Sequence, residues 1–224
     1  MDQRFNSIKD RFSRLDCASL CDASPLVLSV APGFIPLRPD LMMVGRAFPI
    51  RCSNDYLSVI KGLSESKEAD VLVVDGRGQT HAVFGELLAA EAKRKGLGGV
   101  IIDGAVRDMG GMRSLDFPVY YRFVNPQAGR ADIIEPRADV VSIGGVTVRN
   151  GDWIFGDSDG IVVMPDGQIE AILSVAEEIE AVETKVFESI QQGEALTKIT
   201  RFEEFRREHE REIRHKLEFN LSKK

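Results

Sequence analysis

Two short, unbroken apolar runs, Val71-Leu72-Val73-Val74 and Gly99-Val100-Ile101-Ile102, constrain most of what this chain can fold into. Strands that lack polar alternation are those buried on both faces, the condition of a parallel sheet covered by crossover helices. Between the two runs lies a segment from about Gly85 to Lys95 that reads as a helix ended by Gly96, a residue suited to the left-handed turn after a helix. The stretch is therefore a β-α-β unit, and the chain is an α/β protein.

The flanks extend this reading. Phe5, Ile8, Phe12, Leu15 and Leu20 fall near helical spacing, so residues 4–22 read as helical. Residues 25–39 hold Pro25, Pro32, Pro36 and Pro39 and read as extended or looping. A strand over 46–52 contains Pro49, which fits an edge or a bulge. Asp55 is placed to cap a helix that runs to about Ser64. Asp75 to Thr80 reads as a loop. After Ile102 the pattern turns β-rich, with strands expected at 118–123, 139–143, 145–149, 153–155 and 160–164, and Asn150-Gly151 and Asp159-Gly160 as turns. Asp166 is expected to cap a long helix to about Gln192, with one apolar stripe from Ile169 to Ile190. A last, strongly charged helix is expected over 201–217, supported by pairs such as Glu203–Arg207 and Glu210–Arg214. Its apolar stripe is thin, so it is expected to dock on the body or on a neighbouring subunit. The division expected is a domain over 1–165 and C-terminal helices over 166–224.

Composition excludes several functions. A net charge of −6 disfavours nucleic acid as the main partner, since phosphate binding needs a basic patch. No apolar run spans a membrane and the charged N-terminus carries no signal-peptide core, so a soluble, cytoplasmic protein is expected. The 3 cysteines, Cys17, Cys21 and Cys52, argue for a reducing compartment and against a disulfide framework. Gly76-Arg77-Gly78-Gln79-Thr80-His81 imitates a dinucleotide fingerprint, but His81 replaces its third glycine and the helix opens later. Neither a phosphate loop nor a G-x-S-x-G elbow is present. His209 and His215 fall on the charged last helix, where solvation is the simplest reading.

Two segments remain as candidates. Gly85-Glu86-Leu87-Leu88 opens a helix, where unpaired amides and partial positive charge receive an anion. Taken alone it reads more simply as a plain helix start, with Glu86 complementing the dipole. Arg107-Asp108 follows the second strand, at the end of the sheet where α/β proteins bind ligands. Arginine captures a carboxylate bidentately, and a single aspartate beside it suits Mg2+, which keeps water and substrate oxygens as its other ligands. The plain alternative is a surface ion pair worth under about 1 kcal/mol.

The run FGELLAAEAKRKGLGGVIIDGAVRDMGGMRSLDFPVYYR resembles the family of the regulator of ribonuclease activity A and the class II 4-hydroxy-4-methyl-2-oxoglutarate / 4-carboxy-4-hydroxy-2-oxoadipate aldolases. APGFIPLRPDLMMVGRAFPIRC and NGDWIFGDSDGIVVMP extend the resemblance to roughly residues 15–195. Some members have carried the name of menaquinone methyltransferases, but nothing here reads as an S-adenosylmethionine loop. The resemblance implies a swivelling β/β/α core with a C-terminal helical extension, assembled as a homotrimer or hexamer with sites between subunits. It further implies that the backbone of Gly85 to Leu88 holds a pyruvyl carboxylate, that Arg107 binds the 2-oxo acid and its enolate, and that Asp108 ligates Mg2+ or Mn2+. An acidic residue at the start of the twenty-residue spacer, usually Asp and here Glu86, would hold water near the metal. A glutamate from a neighbouring subunit's C-terminal helix would be Glu183, with Glu194 second. The activity implied is retro-aldol release of pyruvate from 4-hydroxy-2-oxo acids, with oxaloacetate decarboxylation as a second reaction. The alternative is a non-catalytic regulator that binds a ribonuclease.

Overall fold

A computed structural model describes residues 3–209. Helices α1 (Gln3–Phe12) and α2 (Cys17–Ala23) precede two short strands, β1 (Leu28–Ser29) and β2 (Ile35–Pro36). Strand β3 (Met43–Arg51) leads through α3 (Tyr56–Glu65) to β4 (Asp70–Phe84), then through α4 (Glu86–Arg94) to β5 (Gly99–Val106), and through α5 (Met109–Arg113) to β6 (Val119–Val124). A hairpin of β7 (Val140–Ile143) and β8 (Val146–Arg149) follows, then β9 (Trp153–Gly156), β10 (Ile161–Met164) and the long helix α6 (Ile169–Gln191).

Eight strands form one sheet in the order β1-β10-β9-β3-β4-β5-β6-β2, and β7-β8 stands apart as a second, two-stranded sheet. β3 to β6 are mutually parallel, and the outer strands join antiparallel. Alternation along each strand sorts the core into layers. Leu72, Val74, Val100 and Ile102 pack with α3, α4 and α5. Val71, Val73 and Ile101 face the other way, against Val141, Ile143, Val146 and Val148 of the hairpin. A layer of helices, a central sheet and a covering hairpin make the β/β/α arrangement, and burial on both faces explains why β4 and β5 carry no polar alternation.

Local chemistry moves several boundaries. The first helical stretch is two helices, because Asp16 and Ser19 form a reciprocal capping box that restarts the chain at Cys17. Asp55 caps α3, its Oδ1 accepting from the Leu57 amide at 2.9 Å. Its Oδ2 accepts from the amides of Asp132 and Ile133, at 2.6 and 2.7 Å. Asp166 does not cap α6. A 3-10 turn over Asp166–Gln168 intervenes, and the carboxylate is taken by Trp153 Nε1 at 2.9 Å and by Arg4 and Arg46 at 3.0 and 2.9 Å. Pro49 lies in an inner strand, yet the antiparallel partner of β3 ends opposite Arg46, so the proline falls where one side of the strand has no ladder.

The largest departure is at 75–80, where no loop separates strand from helix. β4 continues through it, with Arg77 and Gly78 in left-handed backbone conformation and the register against β5 shifting after Val74, after Gln79 and again after Ala82. These bulges absorb extra residues without ending the strand.

The compact unit that holds the sheet runs through Ala176, and a second unit begins at Glu177, inside α6. Ile169, Ile172, Leu173 and Ala176 extend the first unit past 165 because they pack with Trp153 and Phe155. The second unit comprises the rest of α6 with α7 (Leu196–Ile199) and α8 (Phe202–His209), and in it Glu203 pairs with Arg206 at 2.7 Å instead of with Arg207. The expected continuation to 217, with Glu210–Arg214 and His215, lies outside the described residues. Among the described residues no helix is long and apolar enough to cross a membrane.

Candidate active site

The ends of β4 and β5 are adjacent rungs of one ladder: Phe84 is paired with Val106, and the Arg107 amide donates to the Phe84 carbonyl at 3.0 Å. The chain leaves both strands at the same place, into α4 through Gly85 and into α5 through Arg107-Asp108. The two segments, twenty residues apart in sequence, thereby meet at the C-terminal end of the parallel sheet.

Neither helix start is closed by a side chain. Gly85 is the N-cap of α4 and has none to offer, so the first-turn amides of Glu86, Leu87 and Leu88 receive no side-chain cap. Lys93 and Arg94 in the last turn, with Glu86 in the first, complement the dipole. Asp108 is the N-cap of α5, and aspartate is among the best capping residues, yet its side chain caps nothing. Its backbone is left-handed (φ 58°, ψ 41°), a conformation that costs about 1 kcal/mol or more outside glycine. That twist aims the carboxylate at Gly85. A Cβ at Gly85 would lie 2.6 Å from Asp108 Oδ2 and 3.2 Å from Arg107 Cγ. Glycine is required there for space, since its backbone is extended and open to any residue. Arg107 Nε stands 3.5 Å from Asp108 Oδ2, with both side chains close to half exposed (44% and 45%).

Gly85, Leu87, Leu88, Arg107 and Asp108 all line one cavity of about 250 Å3. Glu86 is not among its lining residues. Its carboxylate lies over α5, where a Cβ on Gly111 would collide with it, so Glu86 faces the junction of the two helix starts. Glu183 and Glu194 belong to the second unit. There Glu183, with Phe187, Ile190 and Leu196, lines a separate surface cavity of about 590 Å3. Asp103, inside the same motif as Arg107, is paired with Arg122, whose guanidinium lies 4.2 Å from the centre of the Phe34 ring. His81 turns to Asn54, its Nδ1 at 3.4 Å from Nδ2.

Among the described residues no three His, Cys, Asp or Glu side chains gather as a metal cage. One half-exposed carboxylate, uncommitted to capping and beside an uncapped helix start, fits a divalent ion of the Mg2+ type, which takes one or two protein carboxylates and completes its shell with water and substrate. It does not fit a zinc site built from three or four protein ligands. Sequence reasoning missed the far wall of the cavity, formed by Tyr56 and Ile60 of α3, Val83 of β4 and Ala128. Ala128 is held there by the Ala82 amide donating to Gln127 and the Gly129 amide donating to Ala82, at 2.8 Å each. The Asp55 cap, which fixes where α3 begins beside Tyr56, was the one signal for that wall in the sequence.

Stacked β/β/α layers, with an open helix start and an Arg–Asp pair at the ends of parallel strands, define the class of α/β protein to which the fold belongs. The chain belongs to the RraA-like family: the family model described as Aldolase/RraA matches residues 17–163. A Halalkalibacterium halodurans protein provisionally named a 4-hydroxy-4-methyl-2-oxoglutarate aldolase is 33% identical over 173 residues, 76% of this chain and 82% of that protein. The crystal structure of an uncharacterised Pseudomonas syringae protein superposes with a TM-score of 0.74 at 25% identity, covering 86% of this chain and 96% of the other. The RNA-processing inhibitor RraA from Thermus thermophilis superposes with a TM-score of 0.63 at 28% identity, covering 67% and 92%.

Proposed function

We propose that this chain is a divalent-metal-dependent lyase that cleaves 4-hydroxy-2-oxo acids to pyruvate, with oxaloacetate decarboxylation as a second reaction through the same enolate. The observation that carries the reading is the orientation of Asp108: a strained backbone turns its carboxylate away from its own helix and toward the open start of α4, beside Arg107. The naming of similar proteins as aldolases supports a lyase at the level of the family.

Asp108 would hold the ion, Mg2+ or Mn2+, which when bound supplies Lewis-acid polarisation of the 2-oxo group. Arg107 binds the carboxylate and 2-oxo oxygens and places fixed positive charge where the enolate develops. The amides of Glu86 to Leu88 hold the carboxylate without reorganisation. Glu86, at the junction of α4 and α5, orients the water that removes the 4-hydroxyl proton. The C3–C4 bond then breaks, its electron pair enters the enolate, and protonation at C3 gives pyruvate. Assembly as a homotrimer or hexamer would bring Glu183, or Glu194, of a neighbouring subunit to the site. The test is pyruvate release from a 4-hydroxy-2-oxo acid with Mg2+ and with chelator, repeated for Arg107→Ala and Asp108→Ala. Losses of about a thousandfold or more are expected on chelation and in both variants. Metal-replete protein that releases no pyruvate from either kind of substrate refutes the reading.

The similarity to the Thermus RNA-processing inhibitor favours a second reading, a regulator that acts by binding a ribonuclease. A regulator would retain an RNA-degrading endonuclease in a pull-down, indifferent to chelator and to substitution of Arg107.

A further inference from the structure

The far wall of the cleft ends on a short bridged segment, residues 127–130. Two isolated parallel bridges, Ala82 to Ala128 and Asp55 to Arg130, seat it between β4 and the start of α3. Four backbone hydrogen bonds hold it there. The Ala82 amide donates to the Gln127 carbonyl and the Gly129 amide to the Ala82 carbonyl, each at 2.8 Å. The Arg130 amide donates to the Asn54 carbonyl at 2.8 Å, and the Tyr56 amide to the Arg130 carbonyl at 3.0 Å. Just beyond, the Asp55 carboxylate accepts from the amides of Asp132 and Ile133. At Gly129 the approach is so close that a Cβ would lie 2.7 Å from the Asn54 carbonyl oxygen and 3.2 Å from Val83 Cγ1. All of these contacts lie within one chain, so they stand whether or not a neighbouring subunit completes the site.

Ala128 is the residue of this segment that lines the cavity. Its bridge partner Ala82 precedes Gly85 on β4, and at the rise of a strand the two are roughly 7–10 Å apart, allowing for the register shift after Ala82. Ala128 therefore stands at the end of the cleft away from the acid-binding amides. A pyruvyl group has as many non-hydrogen atoms as benzene, which fits a cavity of about 150 Å3. The cavity of about 250 Å3 leaves about 100 Å3 for C4 and its substituents. One methyl group, that of Ala128, bounds this space on the side of the bridged segment. Retreat of the segment would leave the amides and carbonyls of its bridges unpaired, so added volume at 128 is taken from the cavity. We infer that Ala128 is a specificity-determining residue: its small side chain admits a 4-hydroxy-2-oxo acid branched at C4, and the size of residue 128 sets how large the C4 substituents can be. The inference rests on the lyase reading for the identity of the substrate, while the limit on volume is read by binding alone.

The test uses the full chain with Mg2+ and the variants Ala128→Val and Ala128→Leu, which fill the space in two steps. Isothermal titration compares pyruvate, which occupies only the acid-binding end, with 4-methyl-2-oxoglutarate, an uncleavable analogue branched at C4. Misfit by a methylene or so changes recognition by about 10–200-fold. Binding of the branched acid is therefore expected to weaken about tenfold in Ala128→Val and about a hundredfold in Ala128→Leu, with pyruvate within about threefold of the parent in both. In kinetics, KM for 4-hydroxy-4-methyl-2-oxoglutarate should rise by similar factors, while kcat/KM for the unbranched oxaloacetate stays within about threefold. Weakening of pyruvate and of the branched acid by the same factor would mark a general disturbance of the site and overturns the inference. Unchanged binding of the branched acid by Ala128→Leu overturns it as well. If the variants exclude the branched acid selectively while the parent releases no pyruvate from either substrate, the lyase reading falls and the role of Ala128 stands. A parent protein that binds neither acid overturns both.

Discussion

Replacing Gly85 with alanine isolates the geometry on which the site depends. The backbone at Gly85 is extended, so alanine introduces no torsional strain, and the whole effect comes from one methyl group. That methyl would lie 2.6 Å from Asp108 Oδ2, so the oxygen must retreat by about 0.8 Å to regain ordinary contact, while Arg107 Cγ at 3.2 Å gives a few tenths. Misplacement of a reacting group by roughly 1 Å costs about a hundredfold in rate, equivalent to about 2.7 kcal/mol of barrier. Folding should suffer less. Alanine is a poorer N-cap than glycine by about 1 kcal/mol at most, which lowers Tm by roughly 2–4 °C in a chain of this size. The assay is Mg2+-dependent pyruvate release alongside thermal unfolding of the same preparation. A drop of about a hundredfold in kcat/KM with a small fall in Tm is expected. Activity within about threefold of the parent would show that the approach of Asp108 to the start of α4 has no part in the chemistry.

Three further outcomes follow from the same contacts. Arg107→Lys keeps the charge but loses the planar fork, and kcat/KM for pyruvate release should fall by about a hundredfold or more, whereas a purely electrostatic role would leave most of the activity. Gly111→Ala should raise the stability of α5 by up to about 1 kcal/mol while forcing the Glu86 carboxylate aside, so steady-state kinetics should show a lower kcat on a more stable protein. Burial of Asp55 pulls its carboxyl upward, but the amides of Asp132, Ile133 and Leu57 and the charge of Arg130 outweigh it and hold the group below the usual carboxylate range. A lowered value means the stability Asp55 contributes is full above the unfolded pKa, near 4, and is lost as pH falls through the folded value. Asp55→Asn should therefore cost about 2 kcal/mol at pH 7 in urea unfolding and show a shallower loss of stability with acid than the parent.

The sheet was legible where periodicity is local. Unbroken runs at 71–74 and 99–102 identified strands buried on two faces, and Gly96 marked the end of α4. What escaped depends on distant partners. Asp166 has the composition and position of a helix cap, but Trp153, Arg4 and Arg46 draw its carboxylate elsewhere, and none of them is near it in a helical register. Asp-Gly-Arg-Gly-Gln-Thr has the composition of a loop, and only its pairing with β5 makes it a bulged strand. The break between α1 and α2 was written in Asp16 and Ser19, but the apolar spacing across it concealed the signal. In the site, Gly85, Leu87, Leu88, Arg107 and Asp108 could be singled out because each half is contiguous. The wall opposite is assembled from α3, β4 and the segment around Ala128, and no short motif carries it.

The irregular middle of β4 separates two mechanical tasks. Below it, residues 71–74 are clamped against 99–102 in an unshifted ladder, with packing on both sides. Above it, Ala82 and Phe84 are joined to Ala105 and Val106 in a different register, and the cleft is built from that upper rung together with α3 and the segment around Ala128. The lower ladder is therefore not continued in one register to Gly85 and Asp108, because three shifts of pairing lie between Val74 and Phe84. Val83, in the wall of the cleft, sits between Ala82 and Phe84 and next to Gly85, so the apolar wall and the open start of α4 share one footing on the upper rung.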